Sequence, residues 1–254
     1  MKLSAAFSIL LQLRSAIWAG FAPTLSAIVR NPSLLWHPSE LSHTFMAHVW
    51  KVYGNGADLR GRPAKQALLP ENATGVVLDI GADPAKVIKY VALEPNQLMH
   101  DELRALAATK GFTEAAGNLL LLPYGAEDTA LITSALGGAH SADTLVCITT
   151  ICSVPEPERT LAALVRDVLK PGGALLFYEH VLSPRADVAW WQRFWTPVWR
   201  RAFDGCCLDR PTHVWVERMP GVWKEGRVWG NEGEGEEEEQ LFWHRVGHFV
   251  KKAD

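Results

Sequence analysis

Polar side chains that could hold a nucleotide-like ligand stand directly after short apolar runs of the sequence. A carboxylate such as Glu94 can accept hydrogen bonds from both hydroxyls of a ribose, and a glycine such as Gly81 lets the backbone approach a ligand. Each position alone is more typical of a helix cap or a turn, so their order along the chain carries the prediction. The candidate binding residues are Asp79, Gly81, Glu94, Asn96, Ala126, Glu127 and Thr149.

The elements that must position these residues are β-rich runs separated by helical stretches. The runs cover residues 76–80, 90–93, 119–122, 144–148 and 174–178, and the helical stretches cover residues 97–110, 127–136 and 156–169. Strands that alternate with helices pair in parallel, so the pattern predicts an α/β fold with a Rossmann-like, doubly wound, mostly parallel sheet. Residues 222–228 and 241–250 predict a C-terminal antiparallel strand pair. Ligands of such sheets bind beyond the carboxyl ends of the strands.

The chain divides into three regions. Residues 1–30 form a hydrophobic N-terminal segment, residues 31–74 a helical lead-in, and residues 75–254 the main domain. Apolar residues at helical spacing predict an amphipathic helix over 41–53, and the glycines and prolines between residues 54 and 70 predict that this helix ends there. Residues 231–240 contain six glutamates and predict a solvated acidic loop.

The composition is that of an ordinary globular chain, with 254 residues of which 48% are hydrophobic and 21% charged. The net charge of −3 argues against a nucleic-acid partner, because phosphate binding needs a clustered excess of Lys and Arg. The cysteines lack both the spacing of a zinc site and the density of a disulfide scaffold. We therefore expect reduced thiols in an intracellular protein and no metal site; the cysteines are Cys147, Cys152, Cys206 and Cys207. The adjacent pair Cys206-Cys207 could be redox-active, but nothing in the sequence lowers the pKa of these thiols, so we expect them to be inert.

The N-terminal segment contains two uncharged runs, residues 3–13 and 15–29, separated by Arg14. Neither run reaches the roughly 18 apolar residues of a spanning helix. One prediction is a membrane-associated helix, broken near Gly20 and Pro23, that lies in the bilayer interface or forms a re-entrant hairpin. The alternatives are a core helix and a cleaved signal peptide. Membrane association predicts an intracellular protein, peripheral on an internal membrane such as the endoplasmic reticulum; otherwise we expect it in the cytoplasm.

The order of these motifs resembles that of the class I S-adenosylmethionine-dependent methyltransferases. Within that superfamily the chain is similar to the small membrane-associated methyltransferase-like family that includes thiol S-methyltransferases, and to its fungal relatives. The resemblance implies S-adenosyl-L-methionine as cofactor, a single Rossmann-like domain, an apolar anchoring segment and methyl transfer to a small hydrophobic acceptor such as a thiol. The motifs are Leu41-Ser42-His43-Thr44-Phe45-Met46, Cys152-Ser153-Val154-Pro155, Leu169-Lys170-Pro171-Gly172-Gly173, Phe177-Tyr178-Glu179-His180-Val181 and Phe203-Asp204-Gly205-Cys206.

The first loop departs from the superfamily pattern, which is normally G-x-G-x-G. Gly81 is followed by Ala82-Asp83-Pro84-Ala85 without a further glycine. About eight residues, 81–88, separate the first two predicted strands, whereas a parallel crossover usually takes at least ten to twelve. Either the crossover is compressed or a segment is missing from this version of the sequence. In both cases we expect weaker cofactor binding.

Methyl transfer from a sulfonium is an in-line displacement, which needs proximity and, for a neutral acceptor, a base. Glu179 and His180, at the end of the fifth strand, are the candidate catalytic residues. The alternatives are a structural His180 bonded to a backbone carbonyl and a Glu179 paired with an arginine. A thiol acceptor is partly ionised at neutral pH and could react without a protein base.

Three indoles, Trp191, Trp195 and Trp199, recur at the spacing of one helix face. They predict a lid over the acceptor, a surface in lipid headgroups, or core packing.

Together these observations predict a methyltransferase that acts on a small hydrophobic thiol or hydroxyl and contacts a membrane surface through residues 1–30. The short first loop favours an alternative: a degenerate methyltransferase-fold protein that binds without methylating, or acts as a small-molecule cyclase or isomerase. A membrane-surface interaction protein is the third alternative, and it leaves the strand-end acids unexplained.

Overall fold

The computed structural model describes residues 1–79, 86–230 and 239–253. Within them one sheet has seven strands: β1 (Thr74–Asp79), β2 (Lys86–Leu93), β3 (Leu119–Leu122), β4 (Ala142–Ile148), β5 (Leu169–Val181), β6 (Trp223–Gly230) and β7 (Trp243–Lys251). Their order is β3-β2-β1-β4-β5-β7-β6. The first five strands pair in parallel, and β7 lies antiparallel between β5 and β6. This arrangement confirms the predicted Rossmann-like sheet and its C-terminal antiparallel pair.

The α-helices of the described residues are α1 (Leu3–Ala6), α2 (Ile9–Arg30), α3 (Pro38–Asn72), α4 (His100–Thr109), α5 (Thr129–Ala135), α6 (Pro157–Ala163), α7 (Ala186–Ala202) and α8 (Thr212–Glu217). Helices α3 and α4 cover one face of the sheet. Helices α5, α6 and α8 cover the other, where Leu78, Val91 and Leu145 of the central strands have no exposed surface. Each such side chain contributes about 1.5–3 kcal/mol by burial.

Helix α2 is continuous through Gly20 and Pro23, so the break predicted at these residues is wrong. A Cβ atom at Gly20 would collide with the ring of Phe45 on α3. Glycine therefore permits the close approach of α2 to α3 rather than ending the helix. Ile9 and Ala16 of α2 are buried by the packing of α2 along α3. The free energy of this burial offsets the loss of the backbone hydrogen bond that a proline removes from a helix interior.

Helix α3 is also longer than predicted, because it continues through residues 54–72 instead of ending near Tyr53. In this part of the helix Leu68 and Leu69 are buried against the sheet. A Cβ atom at Gly61 would lie 2.9 Å from the ring of Tyr178 on β5, which makes this glycine a contact residue. Burial of one helix face outweighs the low helix propensity of the glycines and prolines.

The remaining elements differ from the prediction mainly at their ends. Strand β3 matches its predicted bounds. The helical stretch 97–110 begins with a 3₁₀ turn, Gln97–Met99, and the stretch 156–169 ends in a π-helical turn, Leu164–Val168. Strand β5 starts at Leu169 rather than at residue 174, with a register shift where Ala142 and Thr144 pair with it. The predicted acidic loop lies outside the described residues except for Glu239 and Gln240.

Candidate functional site

The carboxyl ends of the parallel strands meet at one edge of the sheet, which we call the ligand edge. The structure places the candidate residues at this edge, and their assignment to cofactor binding and catalysis stays a prediction. Gly81 lies outside the described residues. The residues at the ligand edge are Asp79, Glu94, Asn96, Ala126, Glu127, Thr149, Glu179 and His180.

Asp79 is the last residue of β1 and is 2% exposed. The hydroxyl of Tyr90, on the neighbouring strand β2, donates a hydrogen bond to its carboxylate. Strand β2 begins at Lys86, so only the six residues 80–85 join β1 to β2. The two strands nevertheless pair in parallel, with Asp79 opposite Ala92. Six residues are fewer than the ten or so of an ordinary parallel crossover.

Glu94 follows β2 and is partly exposed at the ligand edge. Its Oε1 atom accepts the backbone N–H of Asn96 at 2.7 Å. Burial raises the pKa of the Glu94 carboxyl above its ordinary value, and the Asn96 N–H and the nearby His100 and His43 oppose this rise. This carboxylate is therefore fixed in place by one hydrogen bond and keeps an exposed surface.

Asn96 is engaged within the fold. Its Nδ2 atom donates to the carbonyl of His43 on α3 at 3.0 Å, and its Oδ1 accepts the N–H of Leu98 at 3.2 Å. The side chain thus ties the end of β2 to the lead-in helix. The contribution of His43 was not predicted, although this residue stands in one of the motifs that carry the family resemblance.

The end of β3 presents a buried alanine and an exposed acid. Ala126 is 4% exposed, whereas Glu127 faces solvent. The carboxylate of Glu127 lies over Gly125, where a Cβ atom would be 2.5 Å away. The N–H of Gly125 donates to Asp128 at 3.1 Å, which fixes the turn. This turn lies near Glu94, because the backbone N–H of Glu94 donates to the carbonyl of Leu122, the last residue of β3, at 3.0 Å.

Glu179 has no exposed surface and holds the loop after β4. Its Oε1 atom accepts the backbone N–H groups of Thr150 at 2.7 Å and Ile151 at 3.0 Å. Thr149, which begins this loop, adopts a left-handed backbone with φ of 50°, and its N–H donates to the carbonyl of Tyr178 at 2.8 Å. Burial raises the pKa of the Glu179 carboxyl, and the backbone donors oppose that rise. These contacts are those of a positioning residue.

His180 lies beside two thiols that the sequence spacing did not connect. Its Nε2 atom is 3.3 Å from Sγ of Cys206, which in turn is 3.5 Å from Sγ of Cys152. The hydrogen bond to Cys206 and burial raise the pKa of the Cys152 thiol well above its ordinary value. The three residues come from the loop after β4, from β5 and from the segment after α7, so only the folded topology reveals the cluster.

An apolar cap covers this cluster; we define it by α1, α2, the first half of α3, and α7. Trp195 and Trp199 are 8% and 4% exposed, so this tryptophan face is used in core packing. The indole N–H of Trp195 donates to the carbonyl of Ala6 at 2.8 Å, and that of Trp199 donates to Sγ of Cys206 at 3.3 Å. The N-terminal segment is therefore part of the cover over the thiols.

The outward side of the same helices is apolar and exposed. Trp18 is 82% exposed and Phe21 is 61% exposed on α2, and Trp190 and Phe194 are more than half exposed on α7. Phe7 connects the N-terminal helices to α7, since the centroid of its ring lies 5.4 Å from that of Trp191. Leu3–Arg30 is long and apolar enough to cross a membrane, and 22% of its most apolar window is buried in the protein. Such a helix is weak support for membrane association by itself.

Part of the sequence is similar to thiol S-methyltransferases, which confirms the resemblance for that part. Thiol S-methyltransferase TMT1B of Homo sapiens is 47% identical over 73 residues, which cover 28% of this chain and 30% of the relative. Thiol S-methyltransferase TMT1A of Homo sapiens is 43% identical over 82 residues, covering 31% and 32%. The similarity thus spans about a third of the length of these relatives. No protein-family profile matches the chain.

Solved methyltransferase structures share the fold. An O-methyltransferase family protein from Burkholderia thailandensis superposes with a TM-score of 0.53 at 13% identity, covering 96% of this chain and 71% of that one. A chain from the complex between the Haloferax volcanii Trm112 methyltransferase activator and a methyltransferase gives a TM-score of 0.51 at 15% identity, covering 80% and 93%. At these identities the similarity establishes a methyltransferase-like fold.

Proposed function

We propose that this protein is an S-adenosylmethionine-dependent methyltransferase that transfers a methyl group to a small hydrophobic thiol at a membrane surface. The observation that carries the proposal is the ligand edge: Asp79 and Glu94 end two neighbouring strands of a sheet with methyltransferase-like order, beside an apolar cap. Similarity to thiol S-methyltransferases over part of their length supports the choice of thiol over hydroxyl.

The residues at the β2 and β3 ends fit the adenosine part of the cofactor. Glu94 is a fixed, partly exposed carboxylate that could accept both ribose hydroxyls, and Gly125 sits where a Cβ atom would collide with the neighbouring acid. Ala126 and Glu127 offer a backbone donor and a side-chain acceptor for the base. When bound, the cofactor supplies an electrophilic methyl group on its sulfonium.

For methyl transfer to a thiol, the protein needs to do little more than position the acceptor in an apolar environment. An apolar thiol would lie under the cap, where the buried rings of Trp199 and Phe203 stack at 3.7 Å between ring centroids. Glu179 fixes the loop between this region and the cofactor, and its buried carboxylate has no exposed surface for direct proton exchange with solvent. Proximity of a thiolate to the sulfonium methyl supplies most of the rate enhancement in such a displacement.

A membrane surface fits the apolar outward side of α2 and α7. Because α2 packs along α3 through Ile9, Ala16 and Gly20, it would lie in the interface rather than cross the bilayer alone. The outer face also carries tryptophan, which favours the interfacial region of a bilayer. An apolar acceptor dissolved in the membrane would then reach the cap directly.

The cofactor assignment is tested by titrating the full chain calorimetrically with S-adenosylmethionine and S-adenosylhomocysteine. We expect saturable binding, and transfer of a labelled methyl group to benzyl mercaptan. The absence of binding in a folded sample would refute the proposal.

The membrane assignment is tested by flotation with phospholipid vesicles. The double variant Trp18→Ser and Phe21→Ser should lose most of its vesicle binding, whereas Leu106→Ser, at an exposed position of α4, should retain it. Equal flotation of both variants would show that the outer face of α2 does not contact the lipid.

The short link between β1 and β2 favours a second candidate, a methyltransferase-fold protein that binds a small molecule without methylating it. The six residues 80–85 replace the loop that normally cradles the methionine end of the cofactor. A folded protein that binds apolar thiols or phenols but neither form of the cofactor would support this alternative.

A further inference from the structure

The cluster of Cys152, His180 and Cys206 brings three metal-ligating atoms together. The two sulfur atoms are 3.5 Å apart, and Nε2 of His180 is 3.3 Å from Sγ of Cys206. All three ligand atoms lie within 4.8 Å of one another. The cluster stands at the ligand edge and under the apolar cap.

These separations are close to the edges of a tetrahedral metal site. Zn²⁺ binds thiolate sulfur at about 2.3 Å and imidazole nitrogen at about 2.0–2.1 Å, which places two ligating sulfurs about 3.8 Å apart and a sulfur and a nitrogen about 3.6 Å apart. The observed distances of 3.5 and 3.3 Å are slightly shorter, so a small outward movement would admit the ion. Two thiolates and a neutral imidazole also balance the charge of a dication, which lowers the cost of burying it.

The surroundings of His180 favour a metal over a simple hydrogen bond. The ring is 4% exposed, and its Nδ1 atom is buried without a hydrogen-bond partner among the described residues. At Nε2 the ring has only a weak contact with the sulfur of Cys206, which a metal–nitrogen bond at the same atom would replace; Nδ1 keeps no partner in either case. The indole N–H of Trp199 donates to Sγ of Cys206 at 3.3 Å, a contact that stabilises a ligating thiolate from outside the coordination sphere.

We propose that Cys152, His180 and Cys206 bind one thiophilic dication such as Zn²⁺, and that the fourth coordination position takes the sulfur of the acceptor thiol. Cys206 is only half-buried, so the cluster is not fully enclosed. Two protein ligands of sulfur and one of nitrogen with an open position are the donor set of a catalytic zinc site.

The role toward the acceptor rests on the proposed function. On binding, the acceptor thiol would release its proton to solvent and remain as a thiolate. Its electron pair would form the new bond to the methyl carbon, the bond from that carbon to the sulfonium would break, and its electrons would stay on the sulfur of the departing S-adenosylhomocysteine. The product is a neutral thioether, which binds metal more weakly than a thiolate and can leave.

Cobalt(II) provides a direct test in the full chain, stripped of metal by a chelator and kept reduced by a phosphine. We expect one Co²⁺ per chain, with the intense visible absorption of a four-coordinate ion and a thiolate-to-cobalt charge-transfer band, and displacement of Co²⁺ by Zn²⁺. Cys152→Ser and Cys206→Ser should each weaken binding at least tenfold. Cys207→Ser is the matched control, because Cys207 is a neighbouring buried cysteine outside the cluster.

Circular dichroism and thermal unfolding of each variant separate loss of the site from loss of the fold. The proposal is overturned if the folded, reduced protein gives no such spectrum, if Cys206→Ser binds Co²⁺ as well as the control does, or if Cys152 and Cys206 are recovered as a disulfide that no chelator affects. Each of the last two outcomes assigns the thiols to other chemistry.

Added benzyl mercaptan tests the open position, since a further thiolate should strengthen the charge-transfer band. This readout needs neither cofactor nor turnover. Metal binding without methyl transfer would therefore refute the proposed function alone, and methyl transfer by the metal-free protein would refute the metal's role alone.

Discussion

The β4–β5 end and the β1–β2 end of the ligand edge are built differently. At the first, Glu179 has no exposed surface and holds the N–H groups of Thr150 and Ile151. At the second, Glu94 remains partly exposed, and only residues 80–85 link the strands. Side-chain hydrogen bonds therefore preorganise the β4–β5 end, whereas Glu94 keeps an exposed surface at the β1–β2 end. The two ends should respond differently to substitution.

Removing the Glu179 carboxylate at the β4–β5 end should have the largest effect on stability. Glu179→Ala leaves two backbone N–H groups unpaired, and we expect a loss of about 2–5 kcal/mol in the free energy of unfolding. Glu179→Gln keeps an acceptor oxygen and should cost less than about 1.5 kcal/mol. Urea unfolding measures both. Equal stability of the alanine variant and the unsubstituted chain would mean that this end is not held by Glu179.

Removing the Glu94 carboxylate at the β1–β2 end should affect ligand binding rather than stability. Glu94→Ala should weaken S-adenosylhomocysteine binding by about 1.5–3 kcal/mol, roughly 10- to 150-fold, through loss of a charge-assisted ribose contact. Calorimetric titration measures this change. Glu127→Ala, at an exposed position, should have a smaller effect. Unchanged affinity in Glu94→Ala would show that Glu94 does not contact the ribose.

Acid should destabilise the folded protein through His213 on α8. Burial and the nearby Arg245 lower the pKa of His213 from 6.5 to about 4. The unfolded chain therefore takes up the proton first, so the stability from neutral His213 is complete above pH 6.5 and is lost as the pH falls toward 4. His213→Phe should reduce this acid-induced loss by on the order of 1–3 kcal/mol.

Thermal unfolding at several pH values measures the effect of His213. His37→Gln is the control, since that side chain is exposed. An unchanged pH profile in His213→Phe would assign the acid sensitivity to other groups.

The sequence predicted the sheet well because its strands carry local signals: β3 matches its predicted bounds, and Asp79 and Glu94 stand at strand ends as expected. It failed where contacts between distant residues decide the outcome. Gly20 and Gly61 read as helix breakers, but each is the point where a helix meets an aromatic ring, Phe45 or Tyr178. Local propensity contains no information about those partners.

The site shows the same division. Glu94 is recognisable from its place after an apolar run, whereas the cysteine–histidine cluster joins residues 26 and 54 positions apart. No short-range spacing rule connects such residues. Knowledge of the strand order is needed, because it brings the loop after β4 next to the end of β5.

The hydrogen bond from Trp195 to Ala6 joins residues 189 positions apart, so it cannot form until long after Ala6 has been synthesised. At about 5–20 residues per second, α1 emerges roughly 10 to 40 s before α7 is complete. During that interval α2 can already pack on α3, but the side of α1 that later contacts α7 lacks that partner and needs a lipid surface or a chaperone. A ribosome-arrested chain that ends before residue 186 should therefore pellet with membranes more strongly than the finished protein.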